Sequence, residues 1–309
     1  MKAGSHINAL WFIKKRGIFG SIYILTYLLL STLVSFKDAT HDSFYDNPLW
    51  YRLVYMSLIF TLFRCRFYSA WLLAESMCIT SSFGAYPLKS KPKPGQGPTD
   101  LMALKQAYEL APNNIEYDFE TVHNIDDYMC ETALTVREVL RYWNMTVQYW
   151  MATYVYRRIK WKKFGQPITM GVSAFWHGIH GGYYLSMLTT TPCIMTENVM
   201  EAAVRRRLQN RTYIRIYDFF SWVFRTRQFD YMSMGFILLR FDLTIRYWKS
   251  VYFIGHIACL VLYSVGMILL RLRPKSKHTK VQQDMGIGQQ PKASSEQHGR
   301  LLKEENKTF

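Results

Sequence analysis

The chain has 309 residues, of which 50% are apolar and 16% aromatic, and its 38 lysines and arginines outnumber 22 aspartates and glutamates for a formal net charge of +16. A charge of that size raises the question of a nucleic-acid partner, but no basic domain with interleaved aromatics stands apart from the apolar blocks, which argues against that class. The mean hydropathy of −0.08 averages apolar blocks with charged stretches and so conceals segments of membrane length.

The first such segment, Ile18 to Phe36, runs 19 residues without a charge, about 30 Å as a helix. It is longer than a signal-peptide core and has no small-residue cleavage site. Lys14, Lys15 and Arg16 precede it, and Arg271, Arg273, Lys275 and Lys277 follow the last apolar block. Such flanks predict cytosolic anchors on anionic lipid. A second stretch, from Leu49 to about Leu88, has room for two passes and is interrupted by Arg64 and Arg66. We expect one helix to end near Phe63 and another to begin near Phe67, with the arginines at an interfacial turn or a wet cavity, because a charge at mid-membrane costs roughly 2.5–3.5 kcal/mol. Glu75 is expected to face protein.

Residues 89–134 form a polar excursion, opened by KSKPKPGQGP and followed by EYDFETVHNIDD. A helix is predicted from about Thr135 to Tyr156, interrupted by Arg141, Asn144 and Gln148 and closed by the cationic belt Arg157 to Lys163. Pro167 to Met195 is again of membrane length and carries His177 and His180. VRRRLQNRTYIRIYDFFSWVF, from Val204, fits an amphipathic helix in the interface. Blocks from about Phe229 to Leu243 and Val251 to Leu270 finish the apolar part, with Asp242 and Arg246 spaced to pair on one helix face. Residues 273–309 are polar and predicted to be a disordered cytosolic tail. The fold class is therefore all-α: a polytopic transmembrane helical bundle over residues 1–272, with seven or so passes or half-passes.

Five cysteines, Cys65, Cys78, Cys130, Cys193 and Cys259, are scattered singly and read as small buried hydrophobes. His177 lies in SAFWHGIHGGYY, with Gly178 beside it. A neutral imidazole in a poorly hydrated chamber takes a proton from a hydroxyl without first losing one; a packing histidine bonded to a carbonyl is the plainer reading. His180, three residues on, raises a two-histidine metal site, but no carboxylate or third ligand is near, whereas an open zinc site wants three. No metal or cofactor is predicted. Asn144, in RYWNMTVQYW, either orients a reacting group or bonds to a neighbouring helix. No nucleophile elbow, phosphate loop, Rossmann fingerprint or kinase signature occurs.

Trp143-Asn144 and Trp176-His177-Gly178, followed by Gly182-Tyr183-Tyr184, resemble the membrane-bound O-acyltransferases, and FGAYP at Phe83, EYDFETVHNID at Glu116 and FDYMSMGF at Phe229 are most similar to the family's lysophosphatidylinositol-acylating branch. The resemblance covers nearly the whole chain to about Leu270. It implies an endoplasmic-reticulum enzyme that moves a polyunsaturated acyl group, typically arachidonoyl, from acyl-CoA as co-substrate to the sn-2 hydroxyl of a lysophosphatidylinositol. It also assigns the catalytic histidine to His177 and the catalytic asparagine to Asn144, with the cytosolic lysines and arginines holding the donor's phosphorylated head. Two departures stand out. The chain starts after the family's N-terminal group of membrane helices, which predicts low activity on its own, and Gly181 stands where related enzymes often have proline. Two other readings compete: a transporter or channel whose Arg64, Glu75, Arg240, Asp242 and Arg246 line a polar pathway, and an inactive truncated acyltransferase. The first lacks the inverted repeat expected of many transporters.

Overall fold

The computed structural model describes residues 9–110 and 115–272 and divides the chain into two units, Met1–Leu270 and Arg271–Phe309. The predicted tail, with Arg273, Lys275 and Lys277, lies outside the described residues. Within the first unit, α1 (Leu10–Ser31) packs along α2 (Leu49–Thr80), followed by the short helices α3 (Leu101–Leu110), α4 (Asp127–Thr132), α5 (Val136–Tyr142) and α6 (Met145–Trp150). Four longer helices and one short one complete it: α7 (Gly165–His177), α8 (Gly181–Ala203), α9 (Arg211–Leu238), α10 (Phe241–Ser250) and α11 (Ile254–Arg271). Among the described residues, strand is confined to two antiparallel ladders of two residues each, Tyr86–Pro87 with Tyr117–Asp118 and Pro92–Lys93 with Gly97–Pro98. Among the described residues, α11 is the one helix long and apolar enough to cross a membrane by length and composition alone.

Several predicted boundaries move, each because a charge finds a partner. The helix expected to break between Phe63 and Phe67 is continuous over 32 residues. Arg64 places Nη1 2.6 Å from both Glu131 oxygens, Tyr68 donates to the same carboxylate, and the guanidinium lies 4.8 Å from the Phe60 ring. An arginine compensated in this way needs no interfacial turn. Likewise α1 begins eight residues before Ile18, and Arg16, expected as a surface anchor, is buried against Glu75. Glu75 does face protein: its other oxygen accepts from the backbone of Asn124 at 2.7 Å and Ile125 at 3.1 Å.

The interfacial helix and the Phe229 block are one helix, α9, capped by the Asn210 side chain. Its Arg225 is fully buried and donates to the carbonyls of Cys130, Glu131 and Ala133. These are the orphan acceptors at the C-terminal end of α4, where the helix dipole favours a cation. Asp242 pairs with Arg240 rather than Arg246, and Arg246 reaches Asp42. Four residues is the right spacing for a pair inside a helix, but closer acids take both arginines. Conversely, two segments predicted as single passes are broken. Thr135–Tyr156 divides into α5 and α6 at Trp143 and Asn144, and Pro167–Met195 divides into α7 and α8 at Gly178. The five cysteines are free; Cys193 and Cys259, distant in sequence, meet with sulfurs 3.5 Å apart between α8 and α11.

Candidate active site

Both breaks position a candidate residue. Trp143 is extended and Asn144 adopts the left-handed conformation, φ 50° and ψ 55°, which asparagine tolerates better than most residues. Its carbonyl accepts the first hydrogen bond of α6, from Gln148, while its side chain makes no cap bond. The amide is thus left over for the cavity. A neighbouring strand of chain fixes this turn: Met145 N–H donates to the Asn124 carbonyl at 2.8 Å, Thr146 N–H to Asn124 Oδ1 at 3.3 Å, and Asp126 N–H to the Tyr142 carbonyl at 3.1 Å. Since Glu75 holds the Asn124 and Ile125 amides, the buried Arg16–Glu75 pair is tied through two hydrogen-bond steps to the backbone around Asn144.

His177 is the last residue of α7, and Gly178 after it sits at φ 132°, a conformation that a side chain would strain. The imidazole is flanked by two rings, Phe236 edge-on at 5.1 Å between centroids and Tyr183 at 5.6 Å. Each aromatic follows a glycine at the crossing of α8 and α9. Gly182 donates to the Leu239 carbonyl at 2.7 Å, and a Cβ on either Gly182 or Gly235 would run into the other's carbonyl oxygen. Close backbone approach through small residues is a standard packing device of membrane helices. Gly181, where a proline is expected, is the first residue of α8; a Cβ there would come 2.8 Å from Phe241 Cβ.

A cavity of about 940 Å³ collects these parts: Asn144 and His177 both line it, with Phe60, Phe67, Trp71, Trp143 and Phe236 supplying much of its apolar wall. His180 is not among the lining residues. It caps α8 on the far side of the chain break and packs its ring 5.8 Å from Tyr183, so the two histidines do not share one helix face as their spacing predicts. Of the five residues proposed for a polar pathway only Arg64 lines the cavity; Glu75, Arg240, Asp242 and Arg246 are paired elsewhere.

Residues 19–239 match the model of the membrane-bound O-acyltransferase family. The chain belongs to that family. It is accordingly a helical membrane protein. Membrane-bound acylglycerophosphatidylinositol O-acyltransferase mboat7 of Xenopus laevis is 40% identical over 293 residues, 94% of this chain and 59% of the relative. The MBOAT7 protein of Homo sapiens is 42% identical over 250 residues, covering 80% of this chain and 52% of its own, and frj of Drosophila melanogaster is 31% identical over 255 residues, 81% and 51%. The chain spans a little over half the length of these curated relatives.

Asn124, Gly235 and Phe236 escape sequence reasoning because their roles depend on contacts across the fold. Only the Gly182–Tyr183 and Gly235–Phe236 pairs, small residue then aromatic, leave a trace in the sequence.

Proposed function

We propose that this cavity transfers an acyl group, arachidonoyl as the expected case, from acyl-CoA to the sn-2 hydroxyl of a lysophosphatidylinositol, within a multi-pass bundle of the endoplasmic-reticulum membrane. The observation that carries the proposal is that Asn144 and His177, delivered by two separate chain breaks, line the same largely apolar cavity. Family membership and the acyltransferase names of the relatives support the reaction class. In the proposed reaction His177 accepts the proton of the lysolipid hydroxyl, and the resulting alkoxide attacks the thioester carbonyl. The carbon–sulfur bond breaks, coenzyme A leaves as thiolate, and the proton passes from the imidazolium to the thiolate. Asn144, with its amide unspent on capping, donates to the thioester oxygen as charge develops there. The Phe236 and Tyr183 rings flank the imidazole and hold it in place.

The test is acyl-CoA-dependent formation of phosphatidylinositol in detergent-solubilised protein, measured for the chain alone and for the chain co-expressed with the N-terminal part of the Xenopus relative. Product in either preparation that falls on the order of 10²–10⁴-fold in His177→Ala supports the proposal. Product in neither preparation, or product retained in His177→Ala but lost in His180→Ala, overturns it.

A further inference from the structure

Five arginines line the cavity, Arg64, Arg66, Arg137, Arg141 and Arg225, and no aspartate or glutamate does so. Two of the five are already compensated, Arg64 by Glu131 and Arg225 by three carbonyls. The remaining three are exposed, and among the described residues none has a hydrogen-bond or carboxylate partner. Their donors are therefore free for an anion in the cavity. Arg66 lies near the middle of the 32-residue α2, two residues after the paired Arg64. Arg137 and Arg141 are four apart on α5, a spacing at which like charges repel along one helix face. The acid between them is used up: Glu138 closes a capping box with Thr135. A fourth donor points the same way, for Gln166 lines the cavity and its buried Nε2 has no partner among the described residues.

The geometry points to a phosphate-binding subsite formed by Arg66, Arg137 and Arg141 inside the cavity that holds Asn144 and His177. Guanidinium groups suit this ligand because their forked donors engage two phosphate oxygens at once. The inference rests on the acyl-transfer reading, in which both substrates carry phosphate: the lysolipid in its head-group diester, coenzyme A in its nucleotide end. Arg141 precedes Asn144 by only three residues, and the sn-2 hydroxyl of a lysophospholipid is a few bonds from its phosphate. A subsite so close to the reacting centre fits the head group.

Equilibrium binding separates the sources without turnover. The full chain carrying His177→Ala, in detergent, is titrated with a lysophosphatidylinositol, with coenzyme A and with a monoacylglycerol that has an acyl chain and no phosphate. Arg66→Gln, Arg137→Gln and Arg141→Gln are each expected to weaken lysophosphatidylinositol about tenfold or more, the loss typical of a charge-assisted hydrogen bond, and to leave monoacylglycerol unchanged. A loss confined to coenzyme A keeps the subsite and assigns it to the donor. Retention of both phosphate ligands within threefold (well inside that tenfold loss), equal loss of all three ligands, or no binding of either phosphate ligand by the parent chain overturns it. The transfer reading fails separately: a chain that binds phosphate through these arginines yet forms no product loses its proposed reaction and keeps its subsite.

Discussion

Asn144 serves the fold through its backbone and the proposed reaction through its amide, and one substitution separates the two. Glycine accepts the left-handed conformation at no cost, so Asn144→Gly is expected to insert and melt like the parent while acyl transfer drops strongly. Unchanged turnover in Asn144→Gly would remove the amide from the mechanism. Glu75 makes the opposite case, a residue with only 2% of its side chain exposed that touches no proposed substrate. Removing one member of a buried ion pair typically costs about 3–5 kcal/mol, and Glu75→Ala also orphans two amides. Its Tm should fall sharply, whereas Glu75→Gln, which keeps one acceptor for Asn124 and Ile125, should fall less. Equal melting of the two variants would show that those backbone bonds contribute little. His123, in the polar excursion, places Nδ1 2.9 Å from Glu120 and Nε2 3.0 Å from the Ile125 carbonyl. Burial alone would lower its pKa, but the hydrogen bond and charge of Glu120 prevail and raise it above the usual histidine value. A raised folded pKa means that the protonated ring stabilises the segment fully below about pH 6.5 and that this contribution is lost as pH rises through the folded value. Amide exchange at Asn124 and Ile125 should therefore quicken across that window by more than the intrinsic pH effect, and His123→Gln should abolish the excess.

At the scale of elements, the α8–α9 crossing sets the imidazole. Gly182 and Gly235 allow the backbones to touch, and the residues after them, Tyr183 and Phe236, then flank His177. Gly235→Val should separate the two helices, release both rings, and lower transfer far more than it lowers the fraction of protein inserted in membrane. Wild-type kinetics in Gly235→Val would mean that the crossing does not position the histidine. The glycines and the Trp-Asn and Trp-His-Gly blocks are visible in the sequence, and they carry the candidate site. The helix ends were less legible, for an electrostatic reason. Counting charges treats Arg64 as an interruption and Arg16 as a surface anchor, whereas Glu131 and Glu75, remote in sequence, pair with them inside a helix. The two real breaks need no charge at all: they occur at positive φ, at Asn144 and Gly178. Asn124, which holds the first of these turns, is legible only in three dimensions.

For the whole molecule, the outward faces of the helices decide where lipid lies. On α1, Leu25 and Leu29 are 61% and 71% exposed, and on α11 Leu260 is 67% exposed. Contiguous apolar faces of this kind cannot stay in water; they face acyl chains or further helices. Arg66 is also exposed, yet a lone arginine in hydrocarbon is costly, so its side of α2 must meet a wet chamber. The two classes of exposed residue should therefore react differently with a membrane-impermeant maleimide. Of the five free cysteines only Cys78 is partly exposed, so Cys78→Ser provides a quiet background into which Leu29→Cys, Leu260→Cys and Arg66→Cys are placed one at a time. In nanodiscs Leu29→Cys and Leu260→Cys should remain unlabelled until detergent is added, while Arg66→Cys should label through the cavity and lysophosphatidylinositol should slow it. Rapid labelling of Leu29→Cys in nanodiscs would place α1 in water, and with it the wall of α2 that α1 covers. Protection of Arg66→Cys with no ligand present would mean that the arginine-lined cavity is closed to water, and a charged phosphate would then have no route to the candidate site.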